Sequence, residues 1–123
     1  MAAISESMGL ICYETRLKSI KKEDFLEFID KLRPLIKPRK SVLFLDNSSV
    51  HRSKLVCNRL KKMRLKVQWN LPYRPELNAI ELYWALAKAK YRKDLLRAMI
   101  DSDHIDFENL VVGSLESVPN SKI

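Results

Sequence analysis

The chain has 123 residues, 46% hydrophobic and 31% charged, which fits one domain with a single core and excludes wholesale disorder. No apolar stretch has bilayer-spanning length, the N-terminus lacks a leader plan, and Cys12 and Cys57 are too few for a disulfide framework. The net charge of +8 is concentrated in residues 51–97, with 13 basic and 3 acidic groups, while residues 98–123 carry 1 basic and 5 acidic groups.

Both thiols are expected to be buried in a reducing, intracellular protein, nuclear if the source is eukaryotic. So basic a middle segment implies a polyanionic partner, DNA or RNA. The alternative is a solvated basic face that only confers solubility.

In chain order, Ala2–Ser5 and Leu10–Glu14 are β-prone, and Met8-Gly9 between them predicts a hairpin. Phe25, Phe28, Ile29 and Leu32 recur at helical spacing, predicting a helix over Lys22–Arg33 that Pro34 stops and Pro38 reinforces. Ser41–Leu45 is apolar without alternation, as in a central strand covered on both faces. Ser48 or Ser49 is the candidate cap of a second helix reaching Met63, with Val56, Leu60 and Met63 inward. Leu65, Val67, Trp69 and Leu71 alternate with polar residues, the pattern of a half-buried strand. Pro72-Tyr73-Arg74-Pro75 is a stiff connector. A long helix follows from Asn78, with Ile80, Trp84, Ala87, Tyr91 and Leu95 as its apolar stripe. A short one over Phe107–Val118 uses Phe107, Leu110, Val111 and Leu115. This order is that of an α/β fold.

Two carboxylates carry the candidate chemistry. Asp46 follows an apolar run at a strand's C-terminal edge, and Glu81 stands 34 residues further on, at the head of the long helix. A carboxylate in Asp46's position is satisfied by a divalent cation, or serves as an ordinary turn residue capping the next helix. Glu81 is either a metal ligand or the Glu of a capping box with Asn78. His51 suits phosphate orientation or a structural hydrogen bond, and Lys88 and Arg92 suit phosphate contacts or a solvated face. With only two glycines and no Ser-His-Asp or zinc pattern, phosphate-loop enzymes, serine hydrolases and zinc enzymes are excluded.

Asp46-Asn47-Ser48, His51, Leu71-Pro72-Tyr73-Arg74-Pro75-Glu76-Leu77-Asn78-Ala79-Ile80-Glu81 and Trp84 together resemble the catalytic core of mariner-like transposases, a DDE superfamily endonuclease domain. Arg74, Glu76 and Ala79 depart from the Ser, Asp and Pro of that family's pattern. The resemblance implies a ribonuclease H-like (integrase-type) core in which three carboxylates hold two Mg²⁺ or Mn²⁺ ions for DNA strand cleavage and transfer. Asp46 then matches the second acid and Glu81 the third. His51, Arg52, Lys61, Lys62, Arg74, Lys88 and Arg92 are the candidate nucleic-acid contacts. It also implies a homodimer.

The family's first Asp lies on an earlier strand, and neither Glu6 nor Glu14 has the setting to replace it. Residues 1–123 are therefore expected to form a single partial catalytic domain, truncated at the N-terminus and lacking the first strand. Its metal binding is expected to be weak or incomplete, and its own activity little or none. Loss of that strand is expected to expose a sheet edge or unpair the sheet's centre. A non-catalytic, transposon-derived nucleic-acid-binding module is the alternative, and a relic with no present role is a third.

Overall fold

The computed structural model describes residues 1–37, 39–101 and 104–122, so the expected stop at Pro38 lies outside the described residues. Eight principal elements occur in the expected order: β1 (Ala2–Ser5), β2 (Gly9–Tyr13), α1 (Lys22–Leu32), β3 (Val42–Leu45), α2 (Lys54–Lys62), β4 (Lys66–Trp69), α3 (Ala79–Asp101) and α4 (Phe107–Glu116). Among the described residues the strands form two two-stranded sheets, β1-β2 and β3-β4. The chain divides into two compact units, Met1–Ala3 with Ile11–Asn78, and Ile4–Leu10 with Ala79–Ile123.

In the first unit, Met1 and Glu14 exchange backbone bonds of 2.6 and 2.8 Å, the reciprocal pattern of an antiparallel pair. The backbone N–H of Lys21 donates to the Asp24 carboxylate at 2.8 Å, satisfying an open donor where α1 begins. Pro34 does not end the coil at once: Arg33–Leu35 continue as a 3₁₀ turn, which tolerates proline near its start. Phe25, Phe28, Ile29 and Leu32 meet Leu45, Val56, Leu60 and Leu65 in one core. An exposed Arg59–Asp30 pair at 2.9 Å joins α2 to α1.

β3, α2 and β4 make a parallel crossover unit, with Val42 opposite Lys66 and Leu45 opposite Trp69. Two-sided burial of β3 is not found. Leu43 and Leu45 pack on the core, but Val42 is 60% and Phe44 41% exposed. The reason is the two-residue period of a strand: α1 and α2 residues line one face, and no described strand pairs on β3's other side.

The cap of α2 also differs from expectation. Ser53, not Ser48 or Ser49, accepts from the Val56 N–H, which leaves residues 46–52 as a loop. The cysteines are half-buried rather than buried: Cys12 sits in the two-stranded hairpin, and Cys57 on a flank of α2 beside the fully buried Val56.

In the second unit, α3 packs against α4. Its deepest residue is Tyr83, whose hydroxyl donates to the Leu115 carbonyl at 2.9 Å. The half-buried Trp84 leans edge-on against Tyr83, with ring centroids 5.2 Å apart. Ala87 is buried, as the apolar stripe requires. Asp106 caps α4 by accepting from the Asn109 N–H at 3.0 Å. Phe107, expected inward, is 57% exposed because it occupies the first position after that cap, ahead of the buried face at Ser114 and Leu115. Gly9 has φ +68 and the Asn120 side chain stands where a Cβ would be, so any other residue there is strained.

Candidate active site at the ends of the parallel strands

Parallel β3 and β4 bring their C-terminal ends side by side, the edge where α/β proteins build ligand sites. Asp46 leaves β3 there. Its Oδ1 accepts the Ser48 backbone N–H at 2.9 Å and the His51 Nδ1–H at 2.7 Å. Partial burial pushes the Asp46 carboxyl up, but the Ser48 N–H and hydroxyl and the His51 charge and hydrogen bond outweigh it. The group is held below the ordinary carboxylate value. His51 is itself fixed by Phe25, with ring centroids 4.3 Å apart at 45°. The His51 backbone N–H donates to the Ser48 hydroxyl at 3.3 Å. Of the two sequence readings of His51, the structural hydrogen bond is found, made to the candidate ligand itself.

A second set of contacts stitches the strand ends together. The Asn47 side-chain amide donates to the Asn70 carbonyl at 2.6 Å, and Arg52 donates twice to Asn47 Oδ1, at 3.0 and 2.5 Å. The Arg52 guanidinium lies over the Trp69 ring, 4.1 Å from its centroid, a cation–π contact. Arg52, an exposed residue whose type suggested a phosphate contact, thus gives two of its donors to the protein itself. Asn47, Trp69 and Asn70 were not singled out for this role in the sequence. The one signal was their position, just at and beyond the ends of two apolar runs.

The remaining candidates lie on several elements. Lys61 and Lys62 are exposed in the last turn of α2, and Lys88 and Arg92 are exposed on α3. Arg74 is ion-paired with Glu76. Glu81 is exposed in the first turn of α3 and belongs to the second unit. Glu14 is committed elsewhere: Lys31 and Arg16 hold its carboxylate at 2.7 and 3.0 Å, and the Lys31 bond leads in keeping it below the usual range.

A family profile described as DDE superfamily endonuclease matches residues 1–104. The chain belongs to the DDE superfamily endonuclease family. No curated protein matches it. Membership points to transposase-type nuclease chemistry, and so to DNA as the substrate class. Among the described residues, no helix is long and apolar enough to cross a membrane.

DDE superfamily endonucleases generally use divalent metals. Asp46 suits such an ion in part: Oδ1 accepts two donors, and the side chain is 48% exposed. Among the described residues no group of three His, Cys, Asp or Glu is placed to hold a metal ion.

Proposed function

We propose that this chain is the part of a mariner-type transposase catalytic domain that carries the second and third acidic ligands, Asp46 and Glu81, in a ribonuclease H-like fold. The observation that carries the reading is the Asp46 carboxylate. It stands at the C-terminal edge of a parallel strand pair, held below the ordinary carboxylate value and oriented by Ser48 and His51.

The family's reaction is metal-dependent cleavage and transfer of DNA strands. Within these residues, Asp46 and Glu81 are the proposed ligands. His51 holds the Asp46 rotamer, and Arg52 locks the loop through Asn47. Glu14, the acid just after β2, is tied to Lys31 and Arg16, and the described residues hold no group of three His, Cys, Asp or Glu placed for a metal ion. The chain by itself is therefore expected to nick DNA little or not at all. A supercoiled-plasmid assay with Mg²⁺ or Mn²⁺ tests this: robust nicking abolished by Asp46→Asn would contradict the expected inactivity.

A second reading, a nucleic-acid-binding module without catalysis, is favoured by the α2 surface. Lys54, Lys61 and Lys62 on α2, with Arg64 and Lys66 just after it, are exposed. It expects salt-sensitive DNA binding indifferent to Asp46→Asn.

A further inference from the structure

The loop leaving β4 presents an aromatic ring to solvent at a cost in backbone conformation. Leu71–Arg74 is a turn closed by the Arg74 N–H on the Leu71 carbonyl at 3.3 Å, with Pro72 second and Tyr73 third. Tyr73 has φ +58. A third turn position with positive φ belongs by preference to Gly or Asn, because a Cβ is strained there. Tyr73 gains nothing inside the protein to offset this. Its side chain is 100% exposed, and among the described residues no hydrogen bond or ring contact engages it.

The turn is nonetheless built to hold that shape. Asn70, only 7% exposed, accepts the Leu71 N–H on Oδ1 and donates from Nδ2 to the Arg74 carbonyl, both at 2.8 Å. Its backbone N–H donates to the Leu45 carbonyl at 2.8 Å, and its carbonyl accepts from Asn47. The turn is thereby anchored to the same strand edge that carries Asp46. A buried side chain on the strand edge that carries the candidate catalytic carboxylate thus clamps the turn holding an exposed, strained aromatic.

We propose that Tyr73 is a base-stacking residue, taking the face of an unpaired nucleobase of the DNA strand that runs past Asp46. An exposed phenol ring offers a flat apolar face that any base can cover, and the clamp removes the ordering entropy such a contact otherwise costs. The inference rests on the reading of DNA as the substrate and adds to it an unpaired, rather than fully duplex, state at this edge.

The test is binding of the full chain to a short fluorescein-labelled oligodeoxythymidylate and to a duplex of the same length, across a salt series. Tyr73→Ala is expected to weaken single-strand binding by about 5- to 150-fold, the range of one lost stacking contact, while leaving the salt slope unchanged. Tyr73→Gly is expected to bind as poorly yet unfold at higher urea than the wild type, since it relieves the strain, and so separates lost stacking from lost folding. Tyr73→Trp is expected to keep affinity and to show quenched indole emission on the oligonucleotide. Salt-sensitive binding that Tyr73→Ala and Tyr73→Gly leave untouched would overturn the stacking role alone. Absence of any salt-sensitive binding by the wild type would overturn it together with the DNA reading beneath it.

Discussion

His51 Nδ1 lies 2.7 Å from Asp46 Oδ1, with the imidazole backed by the Phe25 ring. A loop of four residues separates them, so the contact is made by the fold of residues 46–51 and not by helical spacing. Removing the imidazole takes away both a hydrogen bond and a positive charge from the carboxylate. His51→Ala is therefore expected to raise the Asp46 pKa toward its ordinary value of 3.8, read by carboxyl carbon NMR across an acid titration.

Acid should weaken the fold in a definite window. Asp46 and Glu14 are both held below their ordinary values of 3.8 and 4.5 in the folded chain. A depressed folded pKa contributes stability above the unfolded value, and that contribution is lost as pH falls through the folded one. Urea midpoints are expected to be level from neutral pH to about 5 and to drop below about 4. Asp46→Asn should show a smaller drop. An equal drop in the variant would place the acid sensitivity elsewhere.

Core and sheet face should respond differently to truncation. Leu60 is 2% exposed and Val42 60%. Leu60→Ala is expected to cost about 2–5 kcal/mol in urea unfolding, and Val42→Ala about 0.5 kcal/mol or less. A large cost at Val42 would mean that its face is covered in solution.

The basic face of α2 gives a prediction in salt. Lys61 and Lys62 are exposed in its last turn. If each neutralises a DNA phosphate, the double variant Lys61→Ala with Lys62→Ala should flatten the log–log salt slope by about 1.8. Fluorescence anisotropy across a salt series measures it, and an unchanged slope would remove these two lysines from the interface.

The order of elements, the α1 stripe and the β3–α2–β4 crossover were legible because each rests on local apolar periodicity. So was the position of Asp46, which needs only a strand and its end. Three features were not legible. One-sided burial of β3 depends on which layers surround it, and a strand of four apolar residues reads the same with one cover or two. The α2 start moved from Ser48 to Ser53 because Ser48 is engaged with Asp46 and His51, and competing caps look alike in sequence. The Arg52–Asn47–Asn70 stitch joins residues up to 23 positions apart, so no local pattern encodes it.

Asp46 and Glu81 are the proposed ligands of a divalent cation. A Mn²⁺ titration followed by NMR of the whole chain tests this most directly, because the paramagnetic ion broadens only resonances near it. The account predicts that signals of residues 46–48 and 80–82 broaden at the same Mn²⁺ concentration and that Asp46→Asn abolishes both effects. Broadening at Asp46 that leaves Glu81 sharp would contradict it.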